Sequence, residues 1–419
     1  MKLISSAIKI GLGIIIAQSI TALSIPILTR LYSAEDFALF GYLFSTSSLL
    51  GAVAFLRFES FAAKEKTKDI VRRYIPALSY LALFTLPLML FLILFGFYIF
   101  PYQTFDEPID FIVAGLITVV ATYSWGGFTL LSLVSSRLGV YKNLATARIG
   151  KSIVTVSFQF LLVLTNYKFS LFIGEVMGRI FAILFMLNKI KCKLFPSKIL
   201  FFVFYRKNKH EVKYNFVASL MNSMSLNFFP LFIVYFYSPT LSGGFFLLYK
   251  MIGSPLNILT QSLAMSYLGN ISNYIVDEKF KEIKEAMVKT SLYMFLLCVL
   301  ILTFLYFLLK HYAGLLVGDG WLGLSSMLLL ISPMLLGQVV FSPFSKLLVV
   351  LNHARWQLYW DSSRLILVLA AFFIPFILKI DNETLAFNLS LSFFSCLMLF
   401  MYIVHFLMSI FVIKRKINE

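Results

Sequence analysis

Apolar residues run in long blocks along this chain, broken by short polar segments rather than by alternating polar positions. An apolar run of about 18 or more residues is long enough to cross a bilayer as a helix. Reading the blocks between charged breaks predicts twelve helices. The first six cover about residues 8–28, 37–57, 75–100, 110–136, 149–167 and 170–190. The second six cover about 214–237, 241–268, 289–309, 322–344, 358–379 and 384–411. The expected fold class is an all-α polytopic membrane protein.

Composition agrees with that pattern. Of 419 residues, 60% are hydrophobic and 13% charged, about half the charged share of a soluble domain. The formal net charge of +17 would suggest nucleic acid in a soluble protein; here it sorts by loop. Connections on one side hold only Arg30, Lys168, Lys310 and Lys379 as basic residues, in mildly acidic settings such as "SAEDF", "FDEPID" and "KIDNET". The other side carries "KEKTKDIVRRY" and "YRKNKHEVKY". By the positive-inside rule both termini are expected in the cytoplasm. Lys2 and Lys9 flank the first span as in a signal peptide, but Pro26 and Thr29-Arg30 do not form a small-residue cleavage site, so an uncleaved span is expected.

Two charged connections carry patterns of their own. Residues 191–213 contain "SKILFFVFYRKN", expected to be an interfacial amphipathic segment. "DEKFKEIKEAMVK" offers i,i+4 pairs, Asp277 with Lys281 and Glu285 with Lys289, and reads as a solvated surface helix. The halves also echo each other: "PILTRLYSAEDFALFGYLFS" begins at Pro26 and "PLFIVYFYSPTLSGGFFLLYK" at Pro230. Both run from a proline through a Tyr-Ser turn into an aromatic span. Together these features predict an internal repeat of two six-helix lobes, residues 1–205 and 206–419.

Polar residues inside the spans fall on helical faces. Lys250, Ser254, Asn257 and Gln261 share one face of the eighth helix. The seventh carries Asn215, Ser219, Asn222, Ser223 and Asn227, and the fifth carries Arg148, Lys151, Thr155 and Gln159. Glu175 and Arg179 lie one turn apart, as do Asp361 and Arg364. Two readings compete for these rows: helices packed by polar contacts, or a hydrated central cavity. Arg57, Glu59, Arg148 and Lys151 also lie near enough to the cytoplasmic margin to reach headgroups. Lys250 sits deep in its span, where a lysine costs about 2.5–3.5 kcal/mol on insertion scales, and no acidic residue lies within a helical turn. Its face continues as Ser, Asn and Gln, which favours a water-lined wall of positive charge suited to an anionic ligand.

Catalytic signals do not emerge. There is no phosphate loop, metal-ligand pair or nucleophile elbow. Cys192, Cys298 and Cys396 lie far apart; His210 and His353 fall on cytoplasmic loops, His311 on an external one and His405 inside the last span. Neither cofactor nor metal is expected, and the chain is read as a non-enzyme.

"LTRLYSAEDFALFGYLFS" followed by "LRFESF" resembles the N-terminal signature of bacterial polysaccharide flippases, the O-antigen and capsule-unit exporters of the multidrug/oligosaccharidyl-lipid/polysaccharide superfamily. "YSPTLSGGFFLLYKMIGSPLNILTQSL" and "GDGWLGLSSMLLLISPMLLGQVVFSPFSKLLVVLNHARWQLYWDSSRL" are similar to later stretches of the same family. The resemblance covers nearly the whole chain. It implies an inner-membrane protein that moves undecaprenyl-pyrophosphate-linked oligosaccharides to the periplasmic leaflet by alternating access; with no nucleotide site in the sequence, energy is expected from an ion gradient or from downstream consumption of the product. A polysaccharide polymerase and a chain-length regulator are implied partners. Cavity-lining candidates are Lys250, Asn257, Gln261, Arg148, Lys151, Gln159, Asn222, Arg57 and Arg364; candidates for ion coupling are Glu175, Asp361 and Glu59. Alternatives are a multidrug or other lipid-linked-substrate transporter of the same fold, and a membrane polymerase or ligase of lipid-linked sugars. The last would carry a large external loop, and none is present between the predicted spans.

Overall fold

The computed structural model describes residues 2–62, 65, 67–102, 105, 107–192, 195–253, 255–256, 260, 274, 277–318, 320–321, 323–345, 347–351 and 353–418, with backbone alone at 2–12, 210, 349 and 354. The described residues form helices, turns and loops, with no strand among them. The helices are α1 (Lys2–Leu31), α2 (Ala34–Gly51), the single turn α3 (Glu59–Ala62), α4 (Lys68–Ile99), α5 (Pro108–Leu138), α6 (Tyr141–Val163), α7 (Ser170–Ile190), α8 (Lys198–Phe236) and α9 (Pro239–Leu248). A π-helical turn, Tyr249–Gly253, follows α9. Then come α10 (Phe280–Val317), α11 (Leu324–Phe341), the short α12 (Leu347–Val350), α13 (Ala354–Ile377) and α14 (Glu383–Asn418). The chain divides into two compact units, Met1–Gly243 and Gly244–Glu419.

Among the described residues, nine helices are long and apolar enough to cross a membrane: α1, α4, α5, α7, the later part of α8, α10, α11, α13 and α14. Helices α2 and α6 also lie where spans were expected, but each departs from a lipid-exposed composition for a physical reason. α2 is buried along most of its length, from Phe37 to Gly51, against α5, α7 and α8. A helix sheltered by other helices can carry Ser45, Thr46, Ser47 and Ser48 without exposing them to lipid. α6 carries Lys142, Arg148 and Lys151. The expected span 241–268 begins as α9 and the π turn, and then runs into residues outside those described.

Local signals set several ends. Ser33 caps α2 through a capping box: its hydroxyl accepts from the Asp36 N–H at 3.2 Å, and the Asp36 carboxylate accepts from the Ser33 N–H at 2.8 Å, an arrangement that stabilises a helix start by about 1 kcal/mol. Pro108 opens α5 and Gly139, at φ +79°, closes it in the left-handed region.

The two charged connections differ from the sequence reading. "SKILFFVFYRKN" is no separate interfacial segment; it is the start of α8, one helix of 39 residues, and residues 205 and 206 lie inside it. At 1.5 Å per residue α8 measures about 59 Å, roughly twice the thickness of a hydrocarbon core. Likewise "DEKFKEIKEAMVK" runs into α10 at Phe280, and just ahead of that helix Asp277 pairs with Lys279 at 3.3 Å. Both cases have one cause: nothing in either stretch stops a helix, so a charged polar segment extends the span it adjoins.

The basic end of unit 1 is fastened at Glu65. Its Oε1 accepts from the Tyr74 hydroxyl at 3.0 Å and from Lys207 Nζ at 2.6 Å, while its backbone carbonyl accepts from Arg137 Nε at 2.7 Å. Tyr74 stacks on Phe204 with centroids 4.1 Å apart. α4, α5 and α8 thus meet at one loop residue. In unit 2, α14 is the axis, with α11 and α13 packed along it and α10 beside α11. Ile283, Met287, Phe344, Leu347, Leu348, Leu351, Val412 and Ile413 close its basic end.

The seam between α6 and α7 is tightly packed. Gly174 and Gly178 form a small-xxx-small pair on α7. A Cβ at Gly178 would stand 2.0 Å from Thr155 Oγ1 and 2.6 Å from the Lys151 carbonyl oxygen; at Gly174 it would stand 2.4 Å from Gln159 Cγ. Gly178→Ala should therefore cost about 1–3 kcal/mol by overpacking. Gly96→Ala, whose Cβ meets nothing within 4 Å, should be neutral or slightly stabilising. Thermal unfolding of the two purified variants in one detergent checks this, and equal midpoints would contradict the seam.

Candidate functional site: two buried charged clusters

In unit 1 the glycine seam brings the polar row of α6 against α7. Lys151 Nζ reaches Glu175 Oε1 at 2.8 Å, and Arg179 Nη2 reaches the same oxygen at 3.0 Å. Arg179 is 3% exposed and Glu175 8%. The Arg179 guanidinium lies over the Trp125 ring of α5 at 4.2 Å from the centroid, with Phe44 of α2 at 5.5 Å. Four helices therefore meet at this cluster: α2 and α5 at the guanidinium, α6 at Glu175, and α7 itself. A desolvated cation over an aromatic face is worth about 2 kcal/mol, and a unit charge pair at 4 Å about 4 kcal/mol at an effective dielectric of about 20, before desolvation is subtracted.

Two basic side chains face one carboxylate in this cluster, so its formal charges sum to a positive excess. Arg148 adds another one turn earlier on α6, with no carboxylate at ion-pair distance among the described residues. Arg179 Nη1, Thr155 Oγ1 and Gln159 Oε1 are all buried without a hydrogen-bond partner among the described residues. Gln159 itself was expected on a cavity wall. In this structure it is buried at 0% exposure, its Nε2 donating to the Leu171 carbonyl at 2.9 Å and its backbone carbonyl accepting from the Tyr32 hydroxyl at 2.6 Å. The glycines of α7 explain why: they leave its side chain a slot in the helix interface.

Unit 2 holds a second cluster, and its charges balance. Arg364 Nη2 pairs with Asp361 Oδ1 at 3.1 Å on the same helix, and its guanidinium stacks over Trp360 at 4.4 Å. Gln357 Nε2 donates to Asp361 Oδ2 at 3.3 Å, while Gln357 Oε1 lies 2.9 Å from His405 Nε2. With the amide so oriented, the imidazole donates from Nε2. Trp360 Nε1 donates to the Met401 carbonyl at 2.7 Å, tying α13 to α14. Asp361, Arg364 and His405 are all buried.

The remaining candidates are dispersed. Arg57 sits in a left-handed turn, φ +64°, after α2 and pairs with Glu59 at 3.2 Å. Glu59 is 3% exposed; burial pushes its carboxyl up, against the pull of Arg57. Asn222 is exposed on α8, beside Ser223, whose hydroxyl donates to the Leu49 carbonyl of α2 at 3.2 Å. Lys250 lies in the π turn, half-buried, with its Nζ shielded from solvent. Asn257 and Gln261, its expected companions, lie outside the described residues. The sequence reading missed the π turn, the Glu65 junction and the Trp125 platform. The glycine seam had a visible signal in "GEVMG", a G-x-x-x-G at 174–178.

No family model matches the chain, and no curated protein matches it. Solved structures do, over almost their whole length. One is the lipid II flippase MurJ in an inward closed conformation, TM-score 0.64 at 14% identity, covering 97% of this chain and 90% of that one. Another is an outward-facing multidrug resistance MATE family transporter of the MOP superfamily, TM-score 0.61 at 13% identity, covering 99% and 96%. A third is a MOP superfamily transporter from Pyrococcus furiosus, for which a reversed polarity of the binding pocket suggested a different function; its TM-score is 0.58 at 12% identity, covering 98% and 96%. At such identities the likeness is one of fold: a polytopic helical transporter fold shared by MATE transporters and MurJ.

Removing one partner of a buried ion pair costs about 3–5 kcal/mol, whereas removing both charges costs far less. Asp361→Ala should therefore lower the thermal midpoint of the detergent-purified protein by several degrees. The double variant Asp361→Asn, Arg364→Gln should recover most of that loss. A double variant less stable than Asp361→Ala would show that the pair is not the unit of stability.

Proposed function

We propose that this chain is a flippase for anionic, lipid-linked oligosaccharide units of the undecaprenyl-pyrophosphate class, moving them from the cytoplasmic to the periplasmic leaflet of a bacterial inner membrane. The observation that carries the reading is the sign of the buried charge. Unit 1 sets Lys151 and Arg179 against Glu175 alone, with Arg148 a turn away, and unit 2 adds Lys250 in an apolar stretch. A pyrophosphate entering a low-dielectric space is stabilised by such an excess, and a cationic drug is not. The fold likeness to a lipid II flippase supports the same class of cargo.

In this reading twelve spans form two six-helix lobes about a central cavity that opens to either leaflet in turn. Lys250, Asn257, Gln261, Asn222, Arg57 and Arg364 join Arg148 and Lys151 along its wall; Glu175, Asp361 and Glu59 serve ion coupling. A polymerase and a chain-length regulator receive the product. A second reading, a multidrug exporter, is supported by the fold likeness to MATE transporters and by the buried carboxylates Asp361 and Glu59.

The deciding experiment is translocation. Expression in a strain deleted for its own flippase should restore surface polysaccharide and transfer of a radiolabelled repeat unit, leaving drug susceptibility unchanged. Drug resistance without polysaccharide would select the second reading.

Topology follows from the loop charges. Reporter fusions at Asn208 and Glu419 should read cytoplasmic, and those near Asp106 and Asn382 periplasmic. A periplasmic carboxyl terminus would overturn the orientation.

Lys250→Ala should reduce export at least tenfold at equal membrane abundance, and Lys250→Arg, which keeps the charge, should retain most of it. Full surface polysaccharide from a normally expressed Lys250→Ala protein would leave Lys250 as a packing residue.

A further inference from the structure

The Lys151–Glu175–Arg179 cluster has an asymmetry that points to regulation. Both cations converge on one oxygen, Glu175 Oε1. The two cations are also held very differently. Arg179 is 3% exposed, shares α7 with Glu175 and lies on the Trp125 ring. Lys151 reaches across from α6 on a flexible stem, and its side chain is 27% accessible. The guanidinium keeps a donor in reserve, since Nη1 is buried without a hydrogen-bond partner among the described residues.

We infer that Glu175 is an internal counter-anion: it occupies the Lys151–Arg179 pair in the empty protein and gives up Lys151 to the anionic group of the cargo. This rests on the proposed anionic cargo and adds the regulation of its site. An arriving anion meets Arg148 and Lys151 first, three residues apart on one face of α6. Lys151 then exchanges one anionic partner for another, and Glu175 stays with Arg179. No bond is made or broken beyond ion pairs, and the buried positive charge is neutralised by the cargo.

Selectivity is the consequence. A tethered carboxylate competes at a high effective concentration, so free phosphate or nucleotide, which bring only their charge, are held off. A ligand that gains further binding through its sugar and lipid parts overcomes the competition.

The test uses the full-length protein in detergent, with inorganic pyrophosphate as probe, read by titration calorimetry and by the ligand-dependent rise in thermal midpoint. Glu175→Gln should bind pyrophosphate at least tenfold more tightly than wild type, and its midpoint should rise further at the same pyrophosphate concentration, even from a lower starting value. Adding Lys151→Met to Glu175→Gln should remove that gain. Glu175→Asp, which keeps the charge on a shorter stem, should fall between wild type and Glu175→Gln, and it serves as the reporter if Glu175→Gln does not fold. If wild type binds pyrophosphate and both variants bind equally or more weakly, Glu175 is a structural neutraliser; the counter-anion role is then wrong while the anionic-cargo reading stands. If no form binds pyrophosphate and Lys151→Met exports normally, the cargo reading itself has failed and takes the inference with it.

Discussion

A charge removed from water must find an opposite charge before it meets hydrocarbon, and much of unit 1 follows from meeting that demand at Glu175. The 2.8 Å contact of Lys151 on α6 with Glu175 on α7 joins two helices whose backbones lie closer than ordinary side chains permit. Gly174 and Gly178 permit it, and Thr155 and Gln159 fill the slot they leave. The same demand explains Trp125. A guanidinium shared with only one carboxylate oxygen still needs a partner for its face, and an aromatic ring supplies one without adding charge. Charge, small residues and the aromatic platform are three parts of one solution.

Unit 2 meets the demand differently. Asp361 and Arg364 neutralise each other within α13, so their ion pair does not fix the distance to a neighbouring helix. Among the ties to α14 are neutral hydrogen bonds, Gln357 with His405 and Trp360 with the Met401 carbonyl. In unit 1 an ion pair joins two helices; in unit 2 it is complete before the helices meet. Surplus charge accordingly resides in the first cluster.

The fold class was legible because apolar block length is a local property that each span carries by itself. Glu175–Arg179 and Asp361–Arg364 were legible as pairs for the same reason: helical periodicity alone sets them one turn apart. Lys151's partnership was not, since it depends on which helix packs against α6. The surroundings of Gln159 were not legible, because a polar row on a helix looks alike whether it faces water or a glycine groove. The continuity of α8 escaped notice because charge was read as a boundary, while helix ends are set by caps, glycine and proline. Glu65 lay in a charged loop, and nothing local distinguishes it from the lysines around it.

One consequence lies in how α8 is held. Over most of its length the rod is clamped sideways: Lys207 to Glu65, Phe204 to Tyr74, and Ser223 to the Leu49 carbonyl. Further on, Phe232 and Tyr235 lean edge-on against Phe100. Between the two regimes stands Pro230, which has no N–H to return to the Leu226 carbonyl. A beam gripped along one side and notched near its tip does not flex evenly. Bending strain gathers at the notch, where the ladder lacks a hydrogen bond, and the packing of Ile233 and Val234 in the core takes up the restraint beyond it.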